Sequence, residues 1–296
     1  MFEPWRLGGG GLGEYSLEAA KRYCVARAKE HYENFPVAFG VLGRDQMQAM
    51  AAVYAFARQA DDFADEPCFR PYALSLLDVW EQELRGVFYG EREPRHPVFV
   101  ALSWARERFG LEIGPLAALL SAFRQDVRKH RYETWDELLD YCSRSANPVG
   151  RLVLRILGLD EERLGTCSDA ICTALQLTNF WQDLSVDRPR GRLYVPLELL
   201  RRHGLDEHAL DHAPDDQVAA LLRDLASRTF SLFWKGAPLV VRTPPPASLY
   251  FALVLAGGML VLSAVALLGA RALGSRPALG AGLLLPFVRD RLEEQG

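Results

Sequence analysis

Four aspartates in this chain fall into two pairs, and each pair has the spacing Asp-x-x-x-Asp. The first pair is Asp61 and Asp65 in AVYAFARQADDFADE, and the second is Asp183 and Asp187 in QLTNFWQDLSVDRPRGRLY. On a helix, residues four positions apart share a face, so the carboxylates of each pair can meet. Two like charges at this spacing repel each other. A proline follows each pair and predicts that the helix ends there, and the helix dipole disfavours anions near a C-terminus. This arrangement predicts a compensating cation.

Polar residues extend each pair into a stripe at helical spacing. Tyr54 and Arg58 precede the first pair and complete the first stripe, while Gln176 and Asn179 precede the second pair and complete the second stripe. Carboxylate oxygens suit magnesium, which binds few carboxylates and keeps water or phosphate oxygens as further ligands. Guanidinium groups next to such acids, here Arg58 and Arg192, indicate a phosphate-bearing ligand. A solvated acidic helix end explains either stripe taken alone, but the two together predict metal-assisted handling of a diphosphate beside an apolar cavity.

The elements that must position the stripes are helices, because helical periodicity recurs along the chain and strand patterns are almost absent. Predicted helices span 17–33, 44–65, 71–88, 96–109, 115–131, 135–146, 148–157, 166–186, 196–203, 215–234, 247–272 and 277–292. The chain has 296 residues, of which 49% are hydrophobic, so it can bury a large core. We expect one large all-α domain over 15–296, built around a central apolar cavity, and a flexible N-terminal tail over 1–14.

Composition excludes several classes of protein. A net charge of −4 argues against a general nucleic-acid binder. Five scattered cysteines without a Cys-x-x-Cys pair predict reduced thiols and a cytoplasmic location. The stretch 247–270 carries no charge and is long enough to span a bilayer. A membrane span and a buried helix that lines the cavity are the two interpretations of this stretch, and we favour the buried helix.

The two quoted stretches resemble the signatures of the squalene/phytoene synthase family, and the resemblance covers most of the chain. Members of that family are head-to-head prenyl synthases with the all-α isoprenoid synthase fold. The resemblance implies a prenyl diphosphate substrate and Mg²⁺ as cofactor. It assigns the metal to Asp61, Asp65, Asp183 and Asp187.

The resemblance also implies roles for the residues around the aspartates. The implied catalytic residues are Tyr54 and Tyr141, and the implied substrate-binding residues are His31, Arg58, Gln176, Asn179, Arg192 and Tyr194. Asn34 and Asn147 differ from the common family residues, and we predict that Asn34 binds substrate and that Asn147 acts catalytically, as a polar group near the cation. Arg58 and Arg192 correspond to residues that contact the diphosphate. Tyr54 and Tyr141 correspond to cavity residues near the reacting carbons. A non-catalytic relative is expected to have lost metal ligands, whereas all four aspartates are present here.

Two segments depart from the common family pattern. In HYENFP (31–36), Tyr32 and Asn34 stand where the family usually has two serines that help hold diphosphate. In SANPVG (145–150), Asn147 and Pro148 replace part of a V-A-G-x-V-G segment, and the proline predicts a break in the helix. Both departures resemble one branch, the bacterial hydroxysqualene synthases of hopanoid pathways.

That branch ionises presqualene diphosphate, rearranges the resulting cation and quenches it with water, without a reduced nicotinamide. The alternative is another head-to-head synthase, which makes presqualene diphosphate, dehydrosqualene, squalene or phytoene. Because such substrates and products are barely soluble in water, we also expect loose association with the inner face of the cell membrane and contact with other enzymes of the hopanoid pathway.

Overall fold

The computed structural model describes residues 15–30 and 41–277, and within these ranges the chain is helical without β-strands. The helices in the first half are α1 (Leu17–Glu30), α2 (Arg44–Asp65), α3 (Ala73–Tyr89), α4 (Pro97–Phe109), α5 (Ile113–Asp126), α6 (Trp135–Ser145) and α7 (Asn147–Ile156). The remaining helices are α8 (Glu161–Gln182), α9 (Leu184–Asp187), α10 (Leu197–Arg202), α11 (Asp215–Gly236), α12 (Pro238–Arg242) and α13 (Ala247–Leu268). Short 3₁₀ turns occur at Arg70–Tyr72, Arg188–Arg190, Leu210–His212 and Gly269–Leu273.

Most of the predicted helices are confirmed, with differences at their ends. The helix predicted over 166–186 begins earlier, because the Asp160 side chain accepts a hydrogen bond from the Arg163 backbone amide and caps α8. The predicted break at Asn147-Pro148 is confirmed, since α6 ends at Ser145 and α7 begins at Asn147. The helix predicted over 277–292 and the tail predicted over 1–14 lie outside the described residues.

The core consists of two clusters of buried side chains. The N-terminal cluster joins α1 to α5 with α7 and centres on Trp80, whose ring stacks on Phe56 and packs against Phe99. The C-terminal cluster joins α6, α8, α11 and α13 around Trp181 and Phe233, which are completely buried. Large buried aromatics dominate the energetics of such cores. Helix α8 contributes to both clusters, with Ile171 in the first and Phe180 in the second. Because α2 belongs to the first cluster and the C-terminal half of α8 to the second, packing of the two clusters brings the predicted stripes together.

Helix α13 contains the uncharged stretch, and its two sides have different surroundings. The inner side packs on α8 and α11 at Gly258, where an added Cβ would lie 2.6 Å from both Leu175 and Phe233. The outer side is exposed. Among the described residues this helix, with the turn that follows, is the one segment long and apolar enough to cross a membrane, and 28% of its most apolar window is buried. The prediction of a buried helix therefore holds for one face only.

Candidate active site

The first stripe lies on the C-terminal half of α2. Tyr54, Arg58, Asp61 and Asp65 are partly accessible, whereas Phe56 and Phe63 on the opposite side of α2 are buried. We interpret the partly accessible side that carries the stripe as one wall of a cleft. As the spacing predicts, α2 therefore presents all four side chains to the same side.

Arginines neutralise part of the charge on the first stripe. The Arg58 guanidinium lies 3.4 Å from an Asp61 oxygen and 2.8 Å from an Asp62 oxygen. Asp62 also accepts a hydrogen bond of 3.0 Å from Arg27 on α1. Asp62 points away from the stripe and supports it by fixing Arg58, as its position on the helix predicts. The buried Arg58 Nε has no hydrogen-bond partner among the described residues.

The second stripe straddles a helix break that periodicity does not predict. Helix α8 ends at Gln182, Asp183 leaves the helical region with φ −95° and ψ 12°, and a single turn then follows as α9. The Asp187 backbone amide still donates to the Asp183 carbonyl at 2.8 Å, so the two aspartates keep the spacing of one helical turn. The helix predicted over 166–186 is thus interrupted at Asp183, but the pair stays together.

Arg192 joins the two stripes. Its two terminal nitrogens bind the two carboxylate oxygens of Asp65 at 2.7 and 2.5 Å, and its backbone amide donates to the Asp187 carbonyl at 2.9 Å. This bidentate geometry is the strongest form of an arginine–carboxylate pair. The hydrogen bonds from Arg192 to Asp65 raise the pKa of the guanidinium. Asp183 is held by Arg276, which donates two hydrogen bonds to its carboxylate. The longer of the two measures 3.4 Å.

The carboxylates behave as a crowded anionic cluster. Burial, reinforced by the charge of Asp65, raises the pKa of Asp61 to about 7. Burial, reinforced by Asp183, raises the pKa of Asp187 to about 6. Negative charge is thus disfavoured in this cleft unless a cation accompanies it.

The donor set fits a hard divalent cation such as Mg²⁺, because it offers several carboxylate oxygens whose charges repel one another. In the conformation described for residues 15–30 and 41–277, no group of three acidic, histidine or cysteine side chains surrounds a single metal position. Arginines pair with three of the four carboxylates instead: Arg58 with Asp61, Arg192 with Asp65, and Arg276 with Asp183. A metal bound here would therefore have to compete with Arg192 and Arg276 for oxygen ligands.

Asp126, at the end of α5, is a further candidate functional residue that the sequence patterns did not predict. Only 5% of its surface is exposed, and its Oδ2 accepts a hydrogen bond of 2.7 Å from the Tyr141 hydroxyl. Burial raises its pKa to about 8 despite that bond, while its Oδ1 has no partner among the described residues. The sequence contains no clear signal for this role, because Asp126 lies in the charged stretch RQDVRKHR at the end of the helix predicted over 115–131.

An aromatic wall adjoins Asp126. Tyr194 stacks on Phe180 with ring centroids 3.8 Å apart, and Tyr132 lies 5.4 Å from Tyr141 and 5.8 Å from Tyr194. Tyr141 and Tyr194 are buried in this wall, and burial raises the pKa of both hydroxyls well above the ordinary range. Both hydroxyls therefore stay neutral. Aromatic faces of this kind can stabilise a carbocation.

Three of the remaining predicted residues lie on α7 and α8. Asn147 opens α7, and its side-chain oxygen accepts a hydrogen bond of 2.8 Å from Thr173 on α8. Gln176 and Asn179 are half-buried on α8, and their side-chain amides make no hydrogen bond to another described residue. His31 and Asn34 lie outside the described residues.

Comparison with known proteins places this geometry in a family. A family model described as squalene/phytoene synthase matches residues 28–281. Hydroxysqualene synthase from Sinorhizobium fredii is 37% identical over 216 residues, which are 72% of this chain and 72% of the relative. Hydroxysqualene synthase from Rhodopseudomonas palustris is 39% identical over 210 residues, 70% of each chain. The crystal structure of squalene synthase HpnC from Alicyclobacillus acidocaldarius superposes with a TM-score of 0.77 at 36% identity, covering 86% of this chain and 97% of that one.

The chain belongs to the squalene/phytoene synthase family. Its fold is the all-α fold of those synthases, and its activity is that of an enzyme that converts prenyl diphosphates. The similar proteins named hydroxysqualene synthase match the branch that HYENFP and SANPVG indicate in the sequence.

Proposed function

We propose that this enzyme is a hydroxysqualene synthase, which converts presqualene diphosphate and water into hydroxysqualene and diphosphate. The observation that carries the proposal is the convergence of the two carboxylate stripes, which Arg192 joins, beside a neutral aromatic wall. The similarity to two hydroxysqualene synthases supports the choice of substrate and product.

The chain's own residues account for the binding of the diphosphate. Arg58 and Arg192 carry permanent positive charge at the mouth of the cleft, and both now pair with acids of the first stripe. Exchange of these acids for phosphate oxygens would bring the arginines onto the leaving group. Gln176 and Asn179 offer amide groups beside them. When bound to the four aspartates, magnesium would neutralise the charge that develops on the diphosphate as its C–O bond breaks.

Ionisation leaves a cyclopropylcarbinyl cation in a dry aromatic cavity. We assign Phe180, Tyr141 and Tyr194 to stabilisation of this cation, because Tyr194 stacks on Phe180, Tyr141 lies 6.1 Å from Phe180, and the hydroxyls of both tyrosines stay neutral. The rearranged cation accepts an oxygen lone pair from water, and loss of a proton from that oxygen gives the alcohol. Tyr54 lies one turn before Arg58, which places it toward the hydrocarbon end of the first stripe.

Asn147 is our candidate for positioning the water. Its side-chain oxygen is held by Thr173, so its NH₂ group keeps a fixed direction. An Asn147→Gly variant is expected to raise the share of hydrocarbon or rearranged by-products, and Thr173→Val is expected to do so to a smaller degree. If both variants still give only hydroxysqualene, Asn147 does not direct the water.

A panel of substrates tests the proposed function. Purified protein with MgCl₂ is incubated separately with presqualene, farnesyl and geranylgeranyl diphosphate, and products are identified by gas chromatography with mass spectrometry. We expect turnover of presqualene diphosphate to hydroxysqualene without reductant. Turnover of geranylgeranyl diphosphate alone would make the protein a phytoene synthase, and turnover of farnesyl diphosphate alone would make it a presqualene, dehydrosqualene or squalene synthase.

The setting of the reaction is also part of the proposal. We place the enzyme in the cytoplasm, which the five unpaired cysteine thiols support. A single domain over 15–296 and contact with other enzymes of a hopanoid pathway remain predictions from the sequence.

A further inference from the structure

The outer face of α13 exposes a narrow row of leucines. Leu249, Leu253, Leu260 and Leu267 are between 43% and 60% exposed. At about 100° per residue, these four positions fall within about 40° of one another on the helix. The opposite side of the helix carries buried Phe251, which belongs to the core. The row is thus a continuous apolar strip about 27 Å long, at about 1.5 Å per residue.

Further exposed apolar side chains precede α13. Trp234, near the end of α11, is 66% exposed, and Val241 on α12 is 84% exposed. Each is followed directly by an exposed basic residue, Lys235 and Arg242. Large exposed apolar surface is uncommon on a monomer in water and marks a contact with another partner.

Charge around this strip has one sign. From Leu225 to Pro277 the sequence contains lysine and arginine but no aspartate or glutamate. Lys235, Arg242 and Arg271 are exposed and have no ion-pair partner among the described residues. Arg242 and Arg271 stand just beyond the two ends of α13. An apolar strip flanked by unpaired cations, on a segment that itself carries no acid, matches an anionic lipid surface, where apolar groups enter the acyl boundary and cations meet headgroups.

We propose that the outer face of α13, with Trp234 and Val241, docks on the surface of an anionic lipid bilayer. The helix lies along the membrane plane and does not cross it, because its inner side packs on α8 and α11. The inner side of the same helix faces the core, because Tyr250 packs against the N-terminal cluster and Gly258 packs on Leu175 of α8. Docking would thus place the apolar interior of the enzyme one helix away from the phase that dissolves a C30 hydrocarbon. The link to substrate rests on the proposed function, whereas the binding surface does not.

Sedimentation with vesicles tests the proposal without catalysis. The full chain is mixed with vesicles of phosphatidylethanolamine and phosphatidylglycerol, or of phosphatidylcholine alone, at low and high salt. We expect binding to the anionic vesicles that weakens as salt increases. A full chain that stays in the supernatant with anionic vesicles overturns the proposal, and the proposed activity is unaffected by that result.

Two sets of variants locate the surface. Leu253→Ser with Leu260→Ser is expected to lower the partition coefficient about tenfold or more, from lost apolar contact. Its control is Leu17→Ser with Tyr89→Ser, which also changes two exposed apolar residues but on α1 and α3. Lys235→Gln, Arg242→Gln and Arg271→Gln together are expected to lower binding about tenfold or more at low salt. Their control is Arg95→Gln, Arg128→Gln and Arg202→Gln, all exposed arginines elsewhere.

Equal vesicle binding by the leucine variant and its control would contradict the proposal.

Analytical ultracentrifugation in the absence of lipid tests whether a second copy of the chain, and not a membrane, covers the strip. If the wild-type chain is a dimer that Leu253→Ser with Leu260→Ser converts to a monomer, the strip is an interface between two copies and the lipid proposal fails. Circular dichroism melting confirms that each variant is folded, which is expected because the substituted side chains are exposed.

Discussion

The two carboxylate stripes have the same spacing but are held in different ways. The first stripe lies on one uninterrupted helix, and its nearest arginine, Arg58, is part of that helix. The second stripe crosses the break at Asp183, and the guanidinium that holds this aspartate comes from Arg276, 93 residues further along the chain. Asp61 is therefore held by a local arginine, whereas Asp65 and Asp183 are each held by an arginine distant in sequence, Arg192 and Arg276. The remaining difference is the backbone, which is regular under the first stripe and broken at Asp183, and it indicates that the second stripe is the more adaptable half of the site.

Loss of a carboxylate from either stripe is expected to have the largest effect. Asp61→Asn and Asp183→Asn should each lower kcat by about 100-fold or more, because each removes a proposed metal ligand. Asp61→Asn should also raise the melting temperature of the metal-free protein at pH 8, since the charge of Asp61 is disfavoured by burial and by Asp65. Turnover and thermal unfolding measure the two effects.

The matched control for these variants is Asp45→Asn, which alters an exposed acid whose arginine contact is at the surface. It is expected to change neither kcat nor the response to magnesium. Normal turnover by both Asp61→Asn and Asp183→Asn would show that the metal assignment is wrong.

The arginine that joins the stripes should matter more than the arginine within the first stripe. Arg192→Lys keeps the charge but loses the two-pronged contact with Asp65, so we expect a loss of about 1–2 kcal/mol in the free energy of unfolding. Arg58→Lys should cost less, because Asp62 keeps its contact with Arg27. Urea denaturation measures both variants, and equal losses would show that the two-pronged contact between Arg192 and Asp65 adds no stability beyond that of an ordinary ion pair.

Asp126 should make the metal-free enzyme less stable as pH rises. Its pKa is raised to about 8 in the folded chain, above the unfolded value of about 3.9, so the folded state binds more protons between these values. The free energy of unfolding must then fall as pH increases from about 4 to about 8, by at most about 1.4 kcal/mol per unit for this group.

Asp126→Asn tests that assignment because asparagine can accept the Tyr141 hydrogen bond but does not titrate. Unfolding by urea between pH 5 and pH 8 should show a shallower slope for the variant than for the wild type. Identical slopes would mean that Asp126 is charged across the range and that its burial does not control its protonation.

Sequence predicted the first stripe better than the second for a physical reason. Periodicity places Tyr54, Arg58, Asp61 and Asp65 on one face because α2 is regular throughout. Periodicity does not report helix breaks such as that at Asp183, where the chain leaves α8 before Pro189 prevents further helix. The pair of Asp65 and Arg192, 127 residues apart, depends on packing of the two core clusters.

Two other features of the molecule could not be predicted from the sequence patterns. Asp126 belongs to no motif of the stripes and becomes notable only when Tyr141 is placed against it. The exposed side of α13 was not predicted because the helix is apolar all round, so its sequence contains no period that distinguishes the inner from the outer face.

The smallest expected effect concerns the adaptable stripe. Arg276→Gln should raise magnesium affinity by up to about fivefold, because it removes a competing cation from Asp183 at a partly exposed site. Calorimetric titration with MgCl₂ measures the change, and Arg128→Gln, at another exposed position, serves as the control. Lower affinity in Arg276→Gln would mean that this arginine assists the metal site instead of competing with it.

The most direct test of the central claim is a single reaction in H₂¹⁸O. Purified protein, MgCl₂ and presqualene diphosphate are combined without reductant, and the product is analysed by mass spectrometry. If the two stripes ionise the diphosphate and water quenches the cation, the product is hydroxysqualene that carries one ¹⁸O atom. No turnover, or a product that contains no oxygen from water, would contradict the account.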